Sequence, residues 1–366
     1  MPLRSGTLLS DTRLSDTHVL APHFKRRLSG VTTTLVQLAP IQARIMAKGG
    51  RGFATPGPGL PPVMPRVAGV PVLKWLGLLR RTRSGTRRVW HARRNVEMLP
   101  AIVLRDICRA PLRILFTSAS QREHTAYTRF LIGRMDRVVA VSERSGAYLR
   151  VPHEVVVHGI DTERFRPPGD RAALKAALGL DPAMRHVGCF GRIRARKGTG
   201  DFVEAMIEAL PSRPGWTALV AGRATAEHAP YERDLRARVQ AAGLEKRILL
   251  VGEHDDIHRW HAALDLYLAP QRWEGFGMTP LEAMACGVPV VATDAGAFPE
   301  MVTAATGRIV PRGDIEAMAR EAGALMDDDA ARAAMGEAAR EHVVARFPLT
   351  GEAERLCAIY AEMLEG

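Results

Sequence analysis

The chain has 366 residues, 46% of them hydrophobic, 25% charged and 5% aromatic, which suits a globular protein of two domains and disfavours an all-β fold built on aromatic packing. Its net charge of +12 is concentrated in residues 1–168, where 28 Lys and Arg stand against 10 Asp and Glu, and this indicates an anionic partner. No apolar run reaches the ~18 residues of a transmembrane helix, the charged first residues do not resemble a secretory signal, and the four scattered cysteines suit a reduced, cytoplasmic protein.

The first half of the chain alternates between short apolar segments and amphipathic ones. Strands are predicted at residues 17–24, 87–92, 113–120 and 137–142, and helices at residues 31–46, 95–107 and 124–135. Residues 50–71 are rich in Gly and Pro and are predicted as a loop. A short buried strand at residues 155–157 is followed by Pro167-Pro168-Gly169, where we place the boundary between two domains.

The second half shows the same alternation more clearly. Strands are predicted at residues 186–191, 217–222, 247–252, 266–270, 288–293 and 307–311. The segments between them are amphipathic, and residues 314–364 have a helical composition with a break at Phe347-Pro348. Strands that alternate with helices in this way predict an α/β fold of βαβ units with parallel sheets.

The predicted architecture is two doubly wound, Rossmann-like domains. The first spans residues 1–168 and the second spans residues 169–345. Residues 346–366 are expected to form a C-terminal helix that packs back on the first domain. Because ligands of doubly wound sheets bind at the carboxyl ends of the strands, we expect the functional site in a cleft where the two domains face each other.

The segment EGFGMTPLEAMACGVPVV, residues 274–291, carries the strongest local signal in the chain. Glu274 lies in a loop with Gly275 and Gly277, whose lack of a side chain lets a ligand approach the backbone closely. The helix predicted to follow directs its positive end toward the same place, which favours a phosphate. Glu282 has a structural alternative, because Thr279-Pro280-Leu281-Glu282 has the pattern of a capping box with Thr279 as the N-cap.

A second segment places four cations ahead of a helix. Arg192, Arg194, Arg196 and Lys197 lie between the strand that ends at Gly191 and the helix that begins near residue 199. Cations at this position oppose the helix dipole, so an anion is expected to offset them. A diphosphate fits, because Arg binds phosphate as a fork and Lys as a point charge. The alternative is a solvated basic loop.

Together these segments resemble the retaining, nucleotide-sugar-dependent glycosyltransferases of the GT-B fold. The resemblance covers most of the second half and rests on Gly191-Arg192…Lys197, HGIDTERF, VGEHDDI and the EGFG…LEAMACGVPVVAT block. It implies that Arg192 and Lys197 hold the donor diphosphate, that Glu274 contacts hydroxyls of the donor sugar, and that Glu282 binds the ribose. It also implies that the backbone of Phe276, Gly277 and Met278 lines the donor, and that the reaction needs neither a bound metal nor another cofactor.

The first half resembles a narrower group, the lipopolysaccharide core mannosyltransferases. The similar stretches include APHFKRRLSGVTTTLVQLAP and VWHARRNVEM. The resemblance implies that Gly30 lies in a loop that faces the donor phosphate, although the family often has two glycines there. It also implies that His91 corresponds to a family histidine near the reacting sugar, although Arg93 stands where the family usually has a second histidine. A lone histidine after a strand also has a structural alternative, as a hydrogen-bonded core residue.

Residues that contact the acceptor are sought among the cations of the first half. Lys25, Arg26 and Arg27 follow the first strand and suit an acceptor rich in carboxylate and phosphate, or else form a solvated patch. His124 is a weaker candidate, which could equally be a residue at the start of a helix. Residues 72–88 combine Trp75 and several leucines with a basic flank, a composition that suits either a membrane interface or an ordinary domain helix.

The resemblance therefore predicts an enzyme that transfers a hexose, most simply mannose from GDP-mannose, to a lipid-linked anionic saccharide at the inner face of the cytoplasmic membrane. Two alternatives stay open. One is a transferase of the same fold that uses a UDP-sugar. The other is a basic nucleic-acid-binding protein, although no nucleic-acid-binding motif accompanies the charge and few aromatic residues are interleaved with it.

Overall fold

The computed structural model describes residues 13–24, 30–57 and 77–366, and the side chains of residues 30–33 are not described. The chain forms two compact units: Met1–Gly159 together with Leu349–Gly366, which we call unit 1, and Ile160–Pro348, which we call unit 2. The predicted boundary at residue 168 lies inside unit 2. Pro167-Pro168-Gly169 lies in an irregular segment ahead of the helix that begins at Arg171, and the change of unit comes earlier, after Gly159.

Within the described residues, unit 1 contains a six-stranded parallel sheet with the order β2-β1-β3-β4-β5-β6. Its strands are β1 (Thr17–Leu20), β2 (Gly52–Ala54), β3 (Arg88–Ala92), β4 (Leu112–Ser118), β5 (Arg137–Ala140) and β6 (Glu154–Val155). Its first helices are α1 (Gly30–Lys48), α2 (Asn95–Ile102), which continues as a π-helical turn over Val103–Ile107, α3 (Ala126–Ile132) and α4 (Glu143–Gly146). The strand β2 corrects our prediction of loop, because three residues at a sheet edge carry too short a pattern to be recognised.

Unit 2 contains a second six-stranded parallel sheet, with the order β12-β11-β10-β7-β8-β9. Its strands are β7 (Arg185–Phe190), β8 (Trp216–Ala221), β9 (Ile248–Gly252), β10 (Leu266–Ala269), β11 (Val290–Thr293) and β12 (Gly307–Val310). Its helices are α5 (Arg171–Ala177), α6 (Thr199–Ala209), α7 (Ala229–Ala241), α8 (Ile257–Ala263), α9 (Met278–Ala285), α10 (Phe298–Met301), α11 (Ile315–Asp327) and α12 (Asp329–Arg346).

Both sheets reverse their strand order in the middle. In unit 2 the chain runs outward from β7 to β9 and then returns to place β10 on the other side of β7. In unit 1 the corresponding reversal lies between β1 and β3. These are the switch points at which doubly wound sheets bind ligands, and the predicted α/β fold of two Rossmann-like domains is confirmed.

The last helix, α13 (Leu349–Glu365), follows Pro348 and belongs to unit 1. Ala353, Leu356 and Tyr360 lie on its buried side and pack in one cluster with Leu35 and Leu38 of α1. Their spacing of three or four residues places them on one helix face. Unit 1 therefore takes part of its core from the end of the chain.

Candidate active site

Two loops meet at the switch point of unit 2, one after β7 and the other after β10. The backbone N–H groups of Arg272 and Trp273 donate to the carbonyl of Arg196 at 3.2 and 3.3 Å. The guanidinium of Arg196 lies over the Trp273 ring, 4.8 Å from its centroid. Arg272 also donates from two nitrogens to both carboxylate oxygens of Asp201, each at 2.8 Å. The two loops are thus joined through backbone and side chains.

Glycine permits the close approach of these loops. Gly198 has a φ of +71°, and a Cβ atom added to it would lie 1.9 Å from the carbonyl oxygen of Pro270. Real Cβ atoms do not approach a backbone oxygen so closely, and L-residues rarely adopt this φ. The loop that carries the four cations can therefore lie against the end of β10 only with glycine at position 198.

Lys197 and Glu274, predicted to act on the same ligand, are in direct contact. The Lys197 ammonium forms an ion pair with Oε2 of Glu274, and Oε1 of Glu274 accepts from the backbone N–H of Gly275 at 3.0 Å. Their side chains are 23% and 15% exposed. Arg192 is exposed on the same loop as Lys197, directly after Gly191. The site thus presents cations beside a carboxylate that is held by its own loop.

The capping box predicted around Glu282 is wrong. The helix α9 begins at Met278, and its N-cap is Gly277, with a φ of +94° and no side-chain cap. Thr279 therefore lies inside the helix. The cause is tertiary packing, since a Cβ atom on Gly277 would lie 2.1 Å from the Phe298 ring. The backbone turns into the helix at this glycine, two residues before the expected N-cap at Thr279.

Glu282 instead faces another helix. Its carboxylate Oε2 lies 3.2 Å from Nε2 of His261, a residue of α8 with no solvent exposure. The Glu282 side chain remains 16% exposed. Phe276 is buried, whereas Gly277 and Met278 at the start of α9 are partly accessible. The donor contacts of this backbone stay a prediction.

In unit 1, His91 is buried at the carboxyl half of β3. Its Nδ1 lies 2.7 Å from the Tyr360 hydroxyl and its Nε2 lies 2.7 Å from Oγ1 of Thr117. Burial, together with the nearby charge of Arg93, holds the pKa of His91 well below its usual value of 6.5, so the ring is neutral at pH 7. His91 lines a pocket whose other polar lining residues are Thr34, Arg93, Thr117, His158 and Glu352.

The other predicted residues of unit 1 are described less completely. Gly30 is the first residue of α1, whereas Lys25, Arg26 and Arg27 lie outside the described residues. His124 precedes α3 and is partly buried, and this burial lowers its pKa. Of residues 72–88, those from 77 onward are described. Leu78 is buried in the core of unit 1, whereas Leu79 is 38% exposed.

Three residues that contact the predicted site residues or join their loops were not identified from the sequence. Asp201 ties the two loops together, and its signal was an acidic residue in the first turn of a helix that follows four cations. His261 and Tyr360 contact Glu282 and His91 from distant segments, and no local pattern marks them. Among the described residues, no group of three or more His, Cys, Asp or Glu side chains is arranged to hold a metal ion.

Comparisons with known proteins agree with this geometry. A family model described as "Glycosyl transferases group 1" matches residues 170–342. The chain is 53% identical to "Lipopolysaccharide core biosynthesis mannosyltransferase LpsB" of Rhizobium meliloti over 354 residues, which are 96% of this chain and 99% of LpsB. It is 35% identical to a "GDP-mannose-dependent monoacylated alpha-(1-6)-phosphatidylinositol monomannoside mannosyltransferase" of Corynebacterium glutamicum, over 54% of this chain and 53% of that protein.

A solved structure supports the fold. The crystal structure of HepE from Anabaena in complex with UDP superimposes with a TM-score of 0.78, covering 94% of this chain and 100% of HepE. The sequence identity is 20%, so the likeness concerns the fold alone. It extends over both units.

Proposed function

This chain belongs to the group 1 glycosyltransferases and has their GT-B fold, and we propose that it transfers mannose from GDP-mannose to a lipopolysaccharide core or a similar lipid-linked anionic saccharide. The similarity to LpsB, which extends over nearly the whole length of both chains, supports mannose as the transferred sugar and a lipopolysaccharide core as the acceptor. The GDP-mannose donor is supported by the name of the Corynebacterium relative. The anionic acceptor agrees with the basic charge of the first half.

The observation that carries this proposal is the pairing of Lys197 with Glu274 at the switch point of unit 2. A cation and a carboxylate side by side suit a nucleotide sugar, which presents a diphosphate next to sugar hydroxyls. Lys197 and Arg192 would balance the charge that develops on the departing diphosphate, and Glu274 would accept hydrogen bonds from the sugar. Glu282, beside His261, would accept them from the ribose.

We propose that the transfer retains the anomeric configuration. Glu274 is the carboxylate assigned nearest to the sugar, and it is occupied by Lys197 and by its own loop. This engagement suits a binding role better than that of a nucleophile. The acceptor hydroxyl would then attack on the face from which the diphosphate leaves, and the enzyme would contribute through positioning and charge stabilisation.

The donor is tested by ligand-induced stabilisation followed by turnover. A ligand that binds only the folded state raises its melting temperature in a concentration-dependent way. We expect GDP and GDP-mannose to raise the melting temperature of the purified protein more than UDP and UDP-glucose do. We also expect GDP release from GDP-mannose to require a core saccharide acceptor. Stabilisation by UDP alone would replace the mannose assignment with the UDP-sugar alternative.

We also propose that unit 1 rests on an anionic membrane surface while it binds its lipid-linked acceptor. The helix α2 and its π-helical turn expose Val96, Leu99, Val103 and Ile107, and Ile107 is 74% exposed. Their spacing of three or four residues places them along one side of the helical segment. The neighbouring helix α3 exposes further apolar side chains, Tyr127 and Phe130.

These two helices form one surface, which we call the α2–α3 face. Asn95 of α2 donates from Nδ2 to Oγ1 of Thr128 in α3 at 2.8 Å, which holds the helices side by side. The guanidinium of Arg134 lies 5.1 Å from the Phe130 ring centroid and 3.5 Å from the Asp106 carboxylate. Arg109, Arg122 and Arg129 are exposed in the same part of the chain. Exposed apolar residues accompanied by arginines suit an anionic phospholipid headgroup layer.

The α2–α3 face is tested by sedimentation with vesicles of phosphatidylglycerol and phosphatidylethanolamine. We expect the wild-type chain to bind these vesicles and to release them at high salt. The double variant Ile107→Ser, Phe130→Ser should bind several times more weakly, whereas Val344→Ser, which changes a 44% exposed residue of unit 2, should bind normally. Equal binding by both variants would remove this face from the proposal. None of the described helices is long and apolar enough to cross a bilayer.

A further inference from the structure

A chain of hydrogen bonds runs through the core of unit 1 and ends at the pocket described above. Gln42 of α1 donates from Nε2 to the Tyr360 hydroxyl of α13 at 3.2 Å. The Tyr360 hydroxyl lies 2.7 Å from Nδ1 of His91, and Nε2 of His91 lies 2.7 Å from Oγ1 of Thr117. Gln42 and Tyr360 have no solvent exposure, and His91 is 1% exposed. We call this chain of four residues the relay.

The chemistry of its members gives the relay a direction. The amide nitrogen of Gln42 can only donate, so the Tyr360 oxygen accepts a hydrogen bond from it. The hydroxyl of Tyr360 then donates its single proton to His91. The Arg93 guanidinium, which can only donate, also lies 3.4 Å from Nδ1, but this contact is long and weak beside the 2.7 Å contact with Tyr360. The Tyr360 hydroxyl is therefore the group that mainly keeps Nδ1 without a proton.

The proton of His91 is therefore on Nε2. The ring is buried and its pKa lies well below 6.5, so it carries one proton at neutral pH. With Nδ1 accepting, this proton points at Thr117, whose oxygen receives it. The hydroxyl proton of Thr117 must then point elsewhere. Thr117 is partly exposed at the pocket wall, where Arg93 supplies a second donor.

We propose that Tyr360 is a positioning residue for glycosyl transfer, whose hydroxyl holds His91 in the Nε2–H form and so directs the Thr117 hydroxyl proton into the pocket. This inference rests on the proposed function, because it deepens the role of His91 near the reacting sugar. The pocket then offers an O–H and a guanidinium to one ligand, so it suits an oxygen that accepts hydrogen bonds, such as a sugar hydroxyl oxygen or a carboxylate. Without the Tyr360 hydroxyl, only the long contact with Arg93 favours the Nε2–H form, so His91 populates both neutral forms and the Thr117 hydroxyl loses its fixed direction.

The test removes one oxygen from the relay. Tyr360→Phe keeps the ring, which packs edge-on against His91 with centroids 5.7 Å apart, but deletes the hydroxyl. We expect kcat to fall about tenfold or more, as for residues that orient a functional histidine in metal sites, with little change in KM for the nucleotide sugar. Gln42→Met removes the donor that orients Tyr360 and should produce a smaller loss of the same kind.

A second readout does not depend on activity. In protein labelled with ¹⁵N-histidine, we expect the ring nitrogens of wild-type His91 to show the Nε2–H pattern and those of Tyr360→Phe to show a mixture of both neutral forms. His91→Gln provides the assignment. Ile359→Val, a conservative change at a fully buried neighbour on α13, controls for altered packing and should leave both the pattern and kcat unchanged.

The two readouts separate this inference from the proposed function. A wild-type His91 that is protonated at Nδ1 would overturn the relay even if mannose transfer is confirmed. So would a Tyr360→Phe variant that loses no more activity than Ile359→Val. If the enzyme uses a different sugar donor, only the donor assignment is contradicted. The kcat values of the variants are then measured with that donor, and the protonation pattern of the His91 nitrogens is unaffected.

Discussion

Glu282 and His261 form a contact between two helices, with Oε2 of the carboxylate 3.2 Å from Nε2 of the imidazole. The histidine is completely buried, whereas the carboxylate reaches a partly accessible surface. One oxygen of Glu282 therefore lies against a buried imidazole, while part of its side chain remains exposed. This arrangement suits the recognition of ribose hydroxyls better than the capping role that its sequence suggested.

Changing Glu282 to Gln tests this role. The amide keeps the shape of the side chain but loses the charge that strengthens a hydrogen bond to a ligand hydroxyl. Since hydrogen bonds to charged groups contribute roughly 1.5–3 kcal/mol, we expect donor affinity to fall about tenfold or more. Isothermal titration with GDP measures it, and Glu316→Gln, an exposed residue of α11, is the matched control. Unchanged affinity in Glu282→Gln would show that the contact with His261 is structural only.

Lys197→Ala should reduce turnover far more than stability. The ammonium is partly exposed and pairs with Glu274 in the folded protein, but its proposed partner in the reaction is the leaving diphosphate. Loss of one group that stabilises transition-state charge typically costs 10²–10³ in kcat, and we expect about that decrease. The assay is single-turnover nucleotide release, with Lys246→Ala on the exposed surface of unit 2 as the control. Normal turnover in Lys197→Ala would remove the residue from the donor site.

Gly198→Ala should separate the two loops of the site. The new Cβ would lie 1.9 Å from the Pro270 carbonyl oxygen, in a residue whose φ is +71°. Gly243→Ala provides a matched control, because its φ is +66° and no atom lies within 4 Å of the added carbon. The control should lose about 1–2 kcal/mol of unfolding free energy from backbone conformation alone. We expect Gly198→Ala to lose clearly more in urea unfolding and to bind GDP poorly. Equal losses would mean that the approach of the loops is not constrained.

The stability of the protein should fall as the pH decreases below about 6.5. Burial lowers the pKa of several histidines below the ordinary 6.5, namely His18, His91, His124, His186, His258 and His342. Below pH 6.5 these histidines bind protons in the unfolded chain but stay neutral in the folded one. Their contribution to the free energy of unfolding is therefore fully present above pH 6.5 and is lost as the pH falls toward their folded-state pKa values. Burial raises the pKa of Glu97, which acts in the opposite direction at lower pH.

Thermal unfolding between pH 7.5 and 5.5 measures this dependence. We expect the melting temperature to decrease steadily over this range. His91→Gln, which cannot take up a proton, should show a shallower decrease than the wild-type chain. A melting temperature that is constant or rises on acidification would contradict the assignment of these histidines as neutral.

The parallel α/β sheets could be predicted because buried strands and amphipathic helices leave a periodic pattern, whereas the strand order and its switch points come from the structure. The family resemblance assigned Lys197 and Glu274 to the same ligand, and the structure brings their side chains together because their loops follow the neighbouring strands β7 and β10. The N-cap of α9 was wrong because packing against Phe298 decides where that helix begins. The neighbours of His91 could not be predicted, because Tyr360 follows it by 269 residues and its helix has an ordinary amphipathic pattern.

The return of α13 to unit 1 has a consequence for biosynthesis. Unit 2 is a continuous stretch of chain, whereas the core of unit 1 is completed by Leu356, Tyr360 and their neighbours on the last helix. During translation, these side chains are made only after the whole of unit 2. The strands of unit 1 are therefore synthesised before unit 2, but the apolar surface that α13 covers stays exposed until unit 2 has been synthesised as well.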